Sequence, residues 1–254
     1  MTGEILRGRV ILMTGAGRWP GPALALAFAR AGATVAANDL SPALLDPLAE
    51  AAETLPGEIR PYVADATRGM PLRAMLDEIL DDFGQISVLV NNPRIMPETP
   101  LLEMDEWDWQ RTIEVNLNGP YLITRLVAGQ MKEAGGGAIL NLVDTAAQAL
   151  ESAGRSAYAA SQAGFLSFSQ AATRELMTYN IRVYTLCPEY EVLYPTDPTE
   201  FTLLAADAAP HSSEALTRLA VFLSSPAAEN QAGQIFRVNR RQHFPWPEHQ
   251  QEQG

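Results

Sequence analysis

The sequence predicts an α/β chain, a doubly wound parallel sheet of about seven strands with helices on both faces. Three observations predict it. Short apolar runs alternate with stretches of helical period, separated by turn residues. The first of those runs passes straight into a glycine-rich turn and then into a helix of small and aliphatic residues, as a buried parallel strand does when it hands over to its crossover helix. And 254 residues, 47% of them hydrophobic, suffice for one large core.

The strands are placed at residues 9–13, 34–38, 59–64, 86–91, 138–143, 181–187 and 234–238. Leu72, Met75, Leu76, Ile79, Leu80 and Phe83 recur at helical spacing, and Gly84 stops that helix. Residues 106–132 read as a long helix interrupted around Gly119-Pro120, and 157–177 as another. In the latter, Ala159, Ala160, Ala163, Phe165, Leu166, Phe168, Ala171, Ala172 and Leu176 spread round more of the circumference than one sheet-facing stripe needs. That predicts a second apolar partner, a subunit interface, with a well-buried alanine-rich helix as the alternative. Residues 1–254 are read as one domain, ending in a polar tail at 240–254 that is either loose or anchored on a neighbour through Phe244 and Trp246.

A formal charge of −12, from 30 acidic against 18 basic residues, argues against nucleic acid and anionic membranes as partners. No apolar stretch is long enough to span a bilayer, and the opening residues carry no signal-peptide pattern, so the expected location is cytoplasmic. The lone Cys187 sits in an apolar run and reads as a buried strand residue. His211, His243 and His249 show no ligand spacing, and no metal is expected.

The turn itself, Thr14-Gly15-Ala16-Gly17-Arg18-Trp19-Pro20-Gly21-Pro22, is of Rossmann type. In such a turn glycines such as Gly15 and Gly21 let the backbone approach a pyrophosphate, and the N–H groups of the helix start hold the charge. Here Trp19 stands where close approach is needed, and Pro20 and Pro22 have no N–H to give. Proline in the first helical turn is harmless to folding. The expectation is a fold kept and a phosphate seat weakened.

Together with that turn, Ala37-Asn38-Asp39, Asp65-Ala66, Asn91-Asn92, Asn116 in Val-Asn-Leu-Asn-Gly, Tyr158-Ala-Ala-Ser161, Pro188 and Gly233-Gln234 follow in order along the chain. In these motifs it resembles the short-chain dehydrogenase/reductase family over nearly its whole length. The resemblance implies a hydride-transfer scaffold for NAD(H) or NADP(H), assembled as dimers or tetramers. It makes Asp39 the carboxylate on the adenine ribose, which favours NAD, or else a strand-end cap. It makes Asp65 a contact to the adenine amine, or else a cap of the turn before Arg68. Asn91 belongs to the cofactor set. Asn91-Asn92 continues as Pro93-Arg94, where the family has Ala-Gly.

The resemblance also implies a catalytic set, from which this chain departs. Tyr158 matches the family's proton-exchanging tyrosine, but the lysine four residues later is Gln162. Residues four apart share a helix face, and a neutral amide there supplies no charge to favour a phenolate. At the family's serine stands Asp144 when aligned from Asn141, or Thr145 when counted back from Tyr158. Asp144 would oppose a phenolate and an oxyanion; Thr145 could donate a hydrogen bond. Asn116 is kept, and without the lysine its expected task is bonding a backbone kink. Glu189 and Glu191 near the nicotinamide position, a short lid at 195–210, and Asn239-Arg240-Arg241 in place of Asp-Gly-Gly depart further.

These departures lie at the carboxyl ends of strands, where an open parallel sheet binds ligands, while the core pattern is uninterrupted. The expected role is a non-catalytic subunit with no cofactor bound, or NAD(H) if any. It would pair with an active homologous alcohol or hydroxyacyl-CoA dehydrogenase in a hetero-oligomeric dimer or tetramer. The alternatives are a divergent oxidoreductase working through Tyr158 and a ligand sensor.

Overall fold

The computed structural model describes residues 4–145, 154–188 and 214–238. Seven strands, β1 (Val10–Thr14), β2 (Thr34–Asp39), β3 (Glu58–Val63), β4 (Val88–Asn91), β5 (Gly137–Leu142), β6 (Ile181–Pro188) and β7 (Ile235–Val238), form one sheet in the order β3-β2-β1-β4-β5-β6-β7. Every pairing is parallel. This is the expected doubly wound sheet, with the switch in strand order between β1 and β4.

Strand side chains alternate between two helical layers, as the period of two requires. Ile11, Met13, Val35, Ala37, Leu140 and Tyr184 face one side, packed with α1 (Gly21–Arg30), α2 (Pro42–Ala52) and α7 (Glu214–Ser224) through Leu24, Phe28, Leu48, Leu216 and Leu223. Leu12, Ala36, Leu89, Ile139 and Val183 face the other, against α3 (Gly69–Phe83) and α5 (Gly119–Glu133) through Leu72, Met75, Ile79, Ile123 and Val127. Gly84 ends α3 in the left-handed conformation (φ 75°), which an L side chain resists.

The interruption read at Gly119-Pro120 has a definite form. After α4 (Glu106–Ile113) the helix widens into a π segment, Glu114–Asn118, before α5 begins. Pro120 has no N–H to return to the Asn116 carbonyl, and the Gly119 N–H reaches back five residues to Glu114 instead. Helix α6 (Ser156–Leu176) buries Ala157, Tyr158, Ser161, Gln162, Phe165, Ser169 and Ala172, a stripe at spacings of three and four, and leaves Ala160 and Ala171 exposed.

Among the described residues, no helix is long and apolar enough to cross a membrane. Glu189, Glu191, the lid at 195–210, His211, Asn239, Arg240, Arg241, His243, His249 and the tail at 240–254 lie outside the described residues.

Candidate functional site

A cleft opens at the carboxyl ends of β1 to β4. Thr14, Gly15 and Arg18 line it from the glycine-rich turn, Asn38 and Asp39 from the end of β2, Asp65 and Thr67 from the segment after β3, Arg94 and Ile95 from the segment after β4, and Arg111 from α4. A parallel sheet delivers such loops to one edge because all its strands point the same way.

The turn spends its own glycines on folding. Gly15 has φ +61°, and a Cβ there would sit 2.1 Å from the Asn92 carbonyl oxygen; one on Gly21 would sit 2.5 Å from the Gly15 oxygen. Backbone thus packs on backbone at both positions read as cofactor contacts. The Asn92 amide donates to the Gly15 carbonyl at 2.9 Å and the Arg18 carbonyl at 3.1 Å, fixing the turn to the end of β4. The Gly21 N–H is used by the Arg18 carbonyl at 2.7 Å. Trp19 corrects the sequence reading in one respect. Its indole does not crowd the cleft: Trp19 is 7% exposed, folded into the body, and Arg18 and Arg94 are the bulky side chains that line the opening.

The two acidic positions divide their oxygens differently. Asp65 Oδ1 accepts from the Thr67 N–H at 2.9 Å and the Thr67 hydroxyl at 2.6 Å, the turn cap that its spacing allows. Its carboxyl lies below the ordinary range: burial pushes it up, but the Thr67 hydrogen bonds and the Arg111 and Arg68 guanidiniums outweigh that. Asp39 Oδ1 accepts from the Leu40 N–H at 2.7 Å, whereas its Oδ2 is buried with no hydrogen-bond partner among the described residues. Asn91 does not belong to the cleft. It is fully buried and donates through Nδ2 to Asn141 at 2.8 Å and Thr124 at 3.1 Å, part of a polar chain that runs through Asn141 and Ser169 to Thr185. The pleat decides this: Asn91 sits at the last paired position of β4, opposite Asn141, and turns into the core.

Beyond β4 lies the second group of residues. The Tyr158 hydroxyl donates to Asp144 Oδ2 at 3.0 Å, and both side chains are buried. The Asp144 N–H donates to the Gln162 side-chain oxygen at 2.9 Å. Of the two residues read at the family's serine, Asp144 is therefore the one beside Tyr158. Thr145 is hydrogen-bonded instead to the Cys187 thiol, whose pKa is pushed up to about 11, chiefly by burial. Asn116 accepts the Ile95 N–H at 2.9 Å and donates to the Ile95 carbonyl at 2.8 Å and the Ser161 hydroxyl at 3.1 Å. It thus sits in the kinked π segment, as read, but its side chain ties down the segment after β4 and not the kink itself. Sequence reasoning missed this tie and also Arg111, which reaches Glu114 at 3.0 Å and Asp65 at 4.0 Å. No local spacing links Asn116 to Ile95 or Arg111 to Asp65, pairs far apart in the chain.

For NAD(H) the fit is uneven. The Asp39 side suits a ribose diol, since an orphaned buried carboxylate oxygen wants a donor. The opposite side does not suit a nicotinamide. Pro93 and Arg94 bring bulk where close backbone approach is needed, and Tyr158, Asp144 and Gln162 are bonded to one another.

A seven-stranded parallel sheet with this cleft at its switch point defines a Rossmann-type α/β protein. The profile of the short chain dehydrogenase family matches residues 9–193, and the chain belongs to that family. It is 38% identical over 185 residues to 3-oxoacyl-(acyl-carrier-protein) reductase FabG of Thermotoga maritima, covering 73% of this chain and 75% of that one. It is 32% identical over 183 residues to the (2S)-((R)-hydroxy(phenyl)methyl)succinyl-CoA dehydrogenase subunit BbsD of Thauera aromatica, covering 72% and 73%. A short-chain type dehydrogenase/reductase from Mycobacterium marinum superposes with a TM-score of 0.79 at 27% identity, over 92% of this chain and 94% of that one.

Proposed function

We propose that this chain is a non-catalytic subunit of short-chain dehydrogenase fold, which assembles with an active homologous dehydrogenase of the alcohol or hydroxyacyl-CoA type. The observation that carries the reading is the buried Tyr158–Asp144 hydrogen bond at 3.0 Å, with the amide of Gln162 where a cation would be needed. A phenol exchanges a proton with a substrate oxygen when a nearby positive charge favours its ionised form. Tyr158 instead donates its hydrogen bond to a carboxylate that disfavours a phenolate and repels a developing oxyanion. Gln162 spends its carbonyl oxygen on the Asp144 backbone and brings no charge. Loss of general acid–base support alone costs about 10² to 10⁴ in rate.

Assembly is supported by the surface of α5 and α6. A groove of about 370 Å³ runs between them, lined by Tyr121, Arg125, Phe168, Ala171, Leu176 and Tyr179, with Tyr121 46% exposed and in edge-to-face contact with Phe168. Half-exposed aromatics over a strip of small residues suit a partner helix pair. One relative is itself named as a subunit, a dehydrogenase acting on a CoA thioester.

The test has two arms. Purified chain mixed with NADH and a panel of ketones and 3-oxoacyl thioesters is expected to leave the nicotinamide absorbance unchanged. Native mass spectrometry of the chain isolated from its own cells is expected to find it with a second short-chain dehydrogenase that has Ser, Tyr and Lys in place. Turnover abolished by Tyr158→Phe would overturn the reading.

A further inference from the structure

Glu98 and Arg155 lie 57 residues apart, and the sheet brings them together, because β4 and β5 are parallel neighbours that release their chains at one edge. The chain after β4 runs through Ile95 to Thr99 and on to α4, while Gly154 and Arg155 lead into α6, which carries Tyr158. An open parallel sheet is entered from outside the carboxyl ends of its strands. The crevice between these two stretches is therefore the approach to Tyr158 and Asp144.

Two ties cross that crevice at its rim. The Arg155 guanidinium grips Glu98 Oε1 through two nitrogens, Nε at 3.0 Å and Nη2. The Thr99 N–H donates to the Gly154 carbonyl at 2.9 Å. Gly154 makes so close a contact possible: its φ is +88°, and a Cβ there would lie 3.3 Å from the Thr99 backbone. The Arg155 side chain is only 13% exposed, so the pair is better shielded from water than a surface ion pair.

Both sides of the crevice are also held from behind. The Thr99 hydroxyl donates to Asp108 at 3.3 Å, which fixes the stretch after β4 to α4. The Asn116 amide that holds Ile95 donates to the Ser161 hydroxyl, which in turn donates to the Tyr158 carbonyl at 2.7 Å. The rim cannot part without breaking the two outer ties.

We propose that the Glu98–Arg155 pair and the Thr99–Gly154 hydrogen bond form a clasp that keeps small molecules away from the Tyr158–Asp144 end. One ion pair and one backbone hydrogen bond can open locally while the sheet stays folded. The clasp goes beyond the non-catalytic reading. That reading concerns what Tyr158 can do, and the clasp concerns what can reach it.

Nitration of the full chain by tetranitromethane, mapped by mass spectrometry, tests the clasp, with hydrogen exchange of the Thr99 amide as a second readout. Tyr184, buried in the layer of α1 and α7 and bonded to the Ala228 carbonyl at 2.8 Å, reports any general loosening. In the wild type Tyr158 is expected to react far more slowly than half-exposed Tyr121. Glu98→Ala and Arg155→Ala are each expected to speed Tyr158 nitration and Thr99 exchange about tenfold, with Tyr184 unmoved. The double variant Glu98→Arg with Arg155→Glu is expected to restore part of the protection. Tyr158 as reactive as Tyr121 in the wild type, unchanged nitration in both single variants, or Tyr184 accelerating in step with Tyr158 would each overturn the clasp. Those outcomes leave the non-catalytic reading standing, whereas NADH-dependent turnover removes that reading whatever the nitration pattern.

Discussion

The two sides of the switch point are built differently. After β4 and β5, polar side chains are committed to one another: Tyr158 to Asp144, Asp144 to Gln162, Asn116 to Ile95 and Ser161. After β1 to β3, Asp39 keeps an oxygen with no hydrogen-bond partner among the described residues, and Arg18 lines the open cleft. A side whose groups satisfy each other gains rigidity and gives up chemistry. A side with a buried oxygen in want of a donor carries a cost that a ligand can relieve.

The strongest way to break the comparison is to restore a charge on the closed side. Gln162→Lys puts an ammonium one turn from Tyr158, the spacing that would favour a phenolate. We expect no turnover of NADH with any carbonyl in this variant, because Asp144 remains beside the phenol to take up the new charge, and the Asp144 N–H loses its acceptor. Spectrophotometric assay at the nicotinamide band checks it. A rate within about 10²-fold of an active family member would show that acid–base support was the only thing missing.

Most of the fold was legible because it rests on local pattern. Alternation placed Leu12 and Met13 on opposite faces of β1, helical spacing grouped Leu72 with Met75, Leu76 and Ile79, and Gly84 marked its helix end. That Tyr158 and Gln162 share a helix face was legible too, since they lie one turn apart on a single helix. What hid was non-local. Asp144 and Thr145 are neighbours in sequence, and only the path of the chain after β5 sends one to Tyr158 and the other to Cys187. Asn91 and Asn92 present the same amide, and the pleat sends one into the core and the other to the turn. Trp19 is apolar and large, and sequence gives its bulk but not its direction.

Smaller effects sharpen the contrast on the closed side. Asn116→Ala removes three hydrogen bonds, one buried and two part-buried, and strands the Ile95 N–H and carbonyl, at a cost of about 2 to 4 kcal/mol in urea unfolding. A loss under about 0.5 kcal/mol would mean that water replaces the tie. Tyr158→Phe strands one acceptor on Asp144 and should cost about 1 to 3 kcal/mol. In an active dehydrogenase the same change shows in rate; here it should show in stability alone.

The smallest effect concerns Cys187, which the path after β5 pairs with Thr145. Burial holds its thiol protonated and raises its pKa from 9.0 to about 11, although the Thr145 hydroxyl pulls the other way. In the unfolded chain the thiol loses its proton near 9, so the folded state holds more protons between the two values. Stability should therefore be intact below pH 9 and decline as pH rises through 11. By pH 10 the loss is about 1.4 kcal/mol, the equivalent of one unit of pKa difference. Other groups titrate in the same window, so the quantity to measure is the change in urea midpoint between pH 8 and pH 10, wild type against Cys187→Ala. The wild type should lose more. Equal losses would mean that the unfolding chain gains nothing by ionising the thiol, and that the pocket around Cys187 admits water.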